Sequence, residues 1–97
     1  MSKVRNMMTN GGRGAPNQFI IEDTYIDNGE GLIHGRMFQS YQSNIAFVPY
    51  DSNIIYLGED WDYSRTTGRY RNKFLGLSLN ELRARIKDGR AVILEEM

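Results

Sequence analysis

The spacing of apolar and polar residues divides the chain into a β-rich first part and a helical last part. Gln18-Phe19-Ile20-Ile21-Glu22 is short and β-branched, which predicts a strand. Asp27-Asn28-Gly29-Glu30-Gly31 predicts a turn, and Leu32 to Tyr41 a second strand, weakened at Gly35. Asn44 to Tyr50 predicts a third strand, with Ile45 and Phe47 on one face and Ala46 and Val48 on the other. Both faces are apolar, so that strand is expected to be central. Pro49 to Asn53 predicts a turn and Ile54 to Leu57 a fourth strand. Short connections between such strands imply an antiparallel meander.

The period changes after Gly58-Glu59-Asp60. Tyr63, Tyr70, Phe74 and Leu77 share one helical face, while Arg65, Arg69 and Lys73 recur at i, i+4 and i+8 on another. Gly68 costs such a helix up to about 1 kcal/mol, so the helix is expected to be short or to start after it. Ser78-Leu79-Asn80-Glu81 is a capping box. Leu79, Leu82 and Ile86 form the apolar stripe behind it, and Gly89 is the stop signal. Ala91 to Leu94 predicts a closing strand that rejoins the sheet. The expected fold class is therefore α+β: a three- to four-stranded antiparallel meander, two C-terminal helices and a short closing strand. One helical layer covers one sheet face, and the other face needs a cover, such as a second copy of the chain or another protein.

Residues 1–17 contain Thr9-Asn10-Gly11-Gly12-Arg13-Gly14-Ala15-Pro16-Asn17, nearly all turn formers without periodicity. They are expected to form a flexible basic arm ahead of a single domain spanning residues 18–97. Ninety-seven residues support one domain at most. The chain has no cysteine, which excludes disulfides, thiolate nucleophiles and Cys-ligated metals. No apolar run approaches the ~20 residues of a membrane span, and the N-terminus lacks the apolar region of a secretory signal. A cytoplasmic location is the expectation.

Charge is where the pattern starts to suggest function. Lysines and arginines equal aspartates and glutamates at 12 each, yet they are sorted along the chain. Residues 1–17 carry Lys3, Arg5 and Arg13 and no acid. Residues 18–62 carry eight acids against Arg36 alone. Residues 63–90 carry eight bases against Glu81 and Asp88. Zero net charge therefore does not exclude an anionic partner, because the field near a surface depends on local charge.

The basic block begins among aromatics, at Trp61-Asp62-Tyr63-Ser64-Arg65-Thr66-Thr67-Gly68-Arg69-Tyr70-Arg71-Asn72-Lys73-Phe74. Single-stranded nucleic acid is held by cations along its backbone and by rings stacked on its bases. Trp61, Tyr63 and Tyr70 are the candidate stacking residues, and Arg65, Arg69, Arg71 and Lys73 the candidate phosphate contacts. The structural alternative puts the aromatics under the helix and neutralises Arg65 and Arg69 with Glu59, Asp60 and Asp62. On the last helix, Lys87 and Arg90 suit the negative end of the helix dipole without any ligand. His34 is the only histidine and has no partner set for a triad or metal pair, so a surface or half-buried strand position is expected. Glu59, Asp60 and Asp62 lack a nuclease spacing, and Gly11-Gly12-Arg13-Gly14 lacks the Gly-Lys-Ser/Thr ending of a phosphate loop. No catalytic residue, metal site or cofactor is expected.

Asn17-Gln18-Phe19, Phe38-Gln39-Ser40-Tyr41, Ile45-Ala46, Trp61-Asp62-Tyr63-Ser64, Thr66-Thr67, Tyr70-Arg71 and Phe74-Leu75 resemble a group of small bacteriophage proteins without an assigned activity. The resemblance runs from about residue 17 to residue 77. It implies a phage setting, and with it either the handling of nucleic acid or the redirection of a host protein. The expectation is thus a non-catalytic binding protein whose partner is nucleic acid. The alternative is an inhibitor or modulator of a host protein, its acidic and basic halves matching opposite patches on the target.

Overall fold

The computed structural model describes residues 2–97. Six strands and two helices follow in the order β1 (Lys3–Met8), β2 (Gly14–Asp27), β3 (Leu32–Ser40), β4 (Ser43–Pro49), β5 (Ile55–Leu57), α1 (Arg65–Leu75), α2 (Leu79–Asp88) and β6 (Ala91–Ile93). The strands form one sheet in sequential order. Neighbours from β1 to β5 are antiparallel, and β6 lies parallel to β5. A parallel pair cannot be joined by a hairpin, and the two helices supply the crossover. The α+β class, the meander, both helices and the closing strand match the sequence reading.

The N-terminal segment differs from that reading. Residues 3–8 are an edge strand, not a free arm, and β2 begins at Gly14, well before Gln18. The Gly-rich stretch is the turn of a hairpin. The Thr9 N–H donates to the Arg13 carbonyl at 2.7 Å, the Gly12 N–H donates to the Thr9 carbonyl at 3.0 Å, and Gly12 takes φ 82°. Met7 and Ala15 anchor the hairpin because both are buried in the core.

The core lies mainly between the sheet and the helices. Phe38, Ile45, Leu57 and Leu82 are fully buried there, with Trp61, Phe74, Leu77 and Ile86 packed around them. Each such side chain contributes roughly 1.5–3 kcal/mol. The opposite face carries a smaller cluster of Ile26, Met37 and Phe47, flanked by Ile21, Tyr56, Leu94 and Met97. The C-terminal tail thus covers part of that face, and the Asn44 side-chain amide donates to the Met97 carbonyl at 2.9 Å.

Ile45 and Phe47 do not share a face, contrary to the alternation read from the sequence. A register shift between Phe38 and Gln39 lets Ile45 join Ala46 on the helical side, while Phe47 pairs with Tyr56 and faces away. An extra residue in one strand of an antiparallel pair breaks the two-residue period in this way.

Both helices are closed by their own sequence signals. The Ser64 hydroxyl accepts from the Thr67 N–H at 3.1 Å and starts α1, and Gly76 ends it at φ 69°. The helix runs through Gly68 because the cap and the packing of Tyr70 and Phe74 outweigh glycine's modest penalty. The Ser78 capping box forms in both directions, at 3.0 and 3.1 Å. The Ser78 backbone N–H, and after it the Ser78 hydroxyl, hold the Glu81 carboxyl below its usual range. A lowered folded pKa means this contribution is present at neutral pH and fades as pH falls through that value. At the far end, the Arg90 side chain holds the Asp88 carboxyl below its usual range across a 2.7 Å ion pair.

Candidate nucleic-acid interface

Helix α1 sits on the sheet by means of polar as well as apolar contacts. Thr67 is buried, and its hydroxyl lies 2.8 Å from the buried Ser40 hydroxyl on β3. Tyr70 is also buried and packs into the core. Phe74 packs beside Phe38, with ring centroids 5.8 Å apart. These contacts fix which side of α1 faces water.

Arg71 is the most deeply buried cation, with 1% of its surface exposed. Its Nη1 donates to the Trp61 carbonyl at 2.5 Å and to the Asp62 carboxylate at 3.2 Å. Nε and Nη2 both donate to the Asn72 side-chain oxygen, at 3.2 and 2.9 Å. The guanidinium also lies 5.3 Å from the centre of the Trp61 ring. Arg71 therefore ties the loop before α1 to the helix. It is not the exposed phosphate contact expected from sequence, and Tyr70 is not exposed either. Trp61 is partly buried against the core, with one ring face turned to Arg71. The stacking roles expected for Trp61 and Tyr70 are thus taken over by packing.

Tyr63, Arg65, Arg69 and Lys73 remain on the surface. Tyr63 is 51% exposed. It precedes the cap at Ser64, so the helical periodicity that buries Tyr70 and Phe74 does not extend to it. Among the described residues, Arg65 and Arg69 form no ion pair. The expected neutralisation by nearby acids goes elsewhere: Asp62 pairs with Arg71 at 3.2 Å and Arg83 at 3.8 Å, and Asp60 accepts from the Ser43 hydroxyl. Lys73 donates to the Met8 carbonyl at 2.7 Å, which leaves two of its three N–H groups free.

Two depressions flank Arg69. One is a cleft of about 590 Å³ between α1 and the start of α2, lined by Tyr63, Arg65, Gly68, Arg69, Asn72 and Leu79 together with Asp62 and the buried Arg71. The other, about 380 Å³, separates α1 from the β1–β2 turn and is lined by Thr9, Asn10, Gly11, Arg69 and Lys73. The folded N-terminal turn thus stands beside the basic stripe. Asn72 and Leu79 were not legible as site residues. Their position depends on the angle between two helices joined by three residues.

His34 occupies a half-buried strand position, as expected from sequence. Its ring stacks on Tyr25 at 4.6 Å and meets Tyr50 edge-on at 4.8 Å, with Asp23 3.5 Å away. Among the described residues there is no group of three or more metal-ligating side chains. No helix among them is long and apolar enough to cross a membrane.

No curated protein and no solved structure matches this chain. A family model does match, over residues 2–90, from the edge strand through both helices to the end of α2. The chain therefore belongs to a family of unknown function (DUF8033).

Proposed function

We propose that this is a non-catalytic binding protein for single-stranded nucleic acid, acting in the cytoplasm in a phage setting. The observation that carries the reading is the solvent face of α1. Arg65 and Arg69 stand unpaired among the described residues, Lys73 continues their line, and the exposed Tyr63 ring begins it. Residues four apart on a helix are about 6 Å apart, close to the phosphate spacing of an extended strand. Cations on such a line contact successive phosphates, and Tyr63 offers a face for one base.

Three phosphate contacts rather than four follow from the burial of Arg71. Affinity for a labelled single-stranded oligonucleotide should then fall about 20-fold between 50 and 200 mM salt, from a slope of roughly −0.7 per contact. Fluorescence anisotropy reads this directly. A fall of less than about twofold would contradict the reading.

A second reading, modulation of a host protein, is favoured by a different surface. Val4 is 64% exposed on the edge strand and pairs with the half-buried Ile21, on the sheet face that the helices leave open. Asp27, Glu95 and Glu96 border that face. A protein partner with an apolar patch and a basic rim suits it.

A further inference from the structure

The cleft between α1 and α2 differs from a simple cationic surface in the way its charge is arranged. An arginine side chain carries five N–H donors. Those of Arg71 make four contacts: two from Nη1, one from Nε and one from Nη2. One N–H of Nη2 has no partner among the described residues. Nη2 is also the atom nearest the open side of Gly68, where a Cβ would come within 3.5 Å of it. A side chain that is almost wholly buried thus keeps one unpartnered donor in the lining of an open cleft.

Arg71 already faces a carboxylate there. Asp62 sits 3.2 Å from Arg71 and 3.8 Å from Arg83. A neutral acceptor fits there better than a phosphate, which the Asp62 carboxylate repels. Arg65 and Arg69 also line the cleft, exposed and without an ion pair among the described residues. The walls supply the Tyr63 ring and the apolar Leu79 side chain. A ligand that matches has a flat neutral end carrying a carbonyl and an anionic end outside it. That is the polarity of a single unstacked nucleotide.

We propose that this cleft takes one unpaired base of the bound strand. The base carbonyl accepts from Arg71 Nη2, the base plane lies against Tyr63, and the flanking phosphates lie on Arg65 and Arg69. The proposal rests on the reading of α1 as a single-strand interface and adds a base subsite to it. It also gives Gly68 a role. A larger residue there covers the donor, although the position has ordinary helical backbone and would otherwise favour alanine.

The test uses the full chain, wild type and Gly68→Ala, with two labelled oligomers of equal length and charge: oligo-dT and one in which every base is replaced by an abasic spacer. Gly68→Ala should raise Tm by about 4 °C, since alanine is the better helix former, so weaker binding cannot be ascribed to misfolding. It should weaken oligo-dT binding about tenfold, the size of one hydrogen bond from a charged donor, and leave abasic binding unchanged. Equal affinity of wild type for the two oligomers would overturn the base subsite while leaving the basic face intact. So would equal loss on both oligomers in the variant. Absence of binding to either oligomer by wild type would overturn the interface and the subsite together.

Discussion

Replacing Arg71 by methionine should destabilise the fold by about 3 kcal/mol, chiefly because the part-buried Trp61 carbonyl and the Asn72 side chain lose their donor. Methionine fills much of the same volume, so the loss is mainly polar. The Trp61 carbonyl loses the 2.5 Å bond from Nη1, and the Asn72 side-chain oxygen loses two donors. Asp62 is less affected, because it is partly exposed and retains Arg83. In urea the midpoint should fall with an unchanged slope, and Tm should drop by about 12 °C or more. Trp61 is the only tryptophan, so its emission reports the loop directly. The native-state spectrum of the variant should shift to the red as the ring loses its cation and gains water. A loss below about 1 kcal/mol would show that the loop is held by something other than Arg71.

Gly35→Ala should cost about 3 kcal/mol or more, the upper part of the overpacking range. A Cβ there would sit 2.3 Å from the Val48 carbonyl oxygen, 2.7 Å from the Phe47 ring and 2.8 Å from the Pro49 Cα. Two of those three atoms belong to the β4 backbone, which is paired with β3 at this point and cannot yield without breaking the register. The glycine is needed for close approach rather than for an unusual backbone angle. Gly68 is the contrast: nothing lies closer than 3.5 Å, and the same substitution there should stabilise the helix. Chemical denaturation of both variants should give shifts of opposite sign.

The sequence revealed those elements whose signals are local. α2 begins and ends where Ser78, Glu81 and Gly89 place it, because a cap needs only residues within one turn. β3, β4 and β5 follow from short runs rich in apolar residues between turn formers. The edge strand β1 was missed because Lys3-Val4-Arg5-Asn6-Met7-Met8 has no clear alternation, and its burial depends on Met7 reaching the core beneath a distant helix. The glycines after it looked like slack chain when they were a hairpin turn.

The site was legible only in part, for the same reason. The i, i+4, i+8 stripe of Arg65, Arg69 and Lys73 is a local pattern, and it holds. Arg71 has the same residue type in the same segment, yet the helix turns it inward to a carbonyl ten positions earlier. Residue type alone does not distinguish a phosphate contact from a buried tie. Much of the segment from Trp61 to Phe74 proves to be structural. Ser64 caps α1, Thr67 meets Ser40, Tyr70 fills the core, and Trp61 and Asp62 receive Arg71. Tyr63 is the residue of Trp61-Asp62-Tyr63-Ser64 left facing water without such a task.

The most direct test of the α1 interface compares wild type with the Arg65→Gln/Arg69→Gln variant on a labelled single-stranded oligonucleotide at 50 and 200 mM salt. Both positions are exposed and unpaired among the described residues, so the variant should fold as wild type does. Wild-type affinity should fall about 20-fold across that range, and the variant, with Lys73 as its remaining contact, only about threefold. A variant that keeps the full salt dependence, or a wild type that does not bind at 50 mM, would contradict the account and turn attention to the open sheet face around Val4 and Ile21.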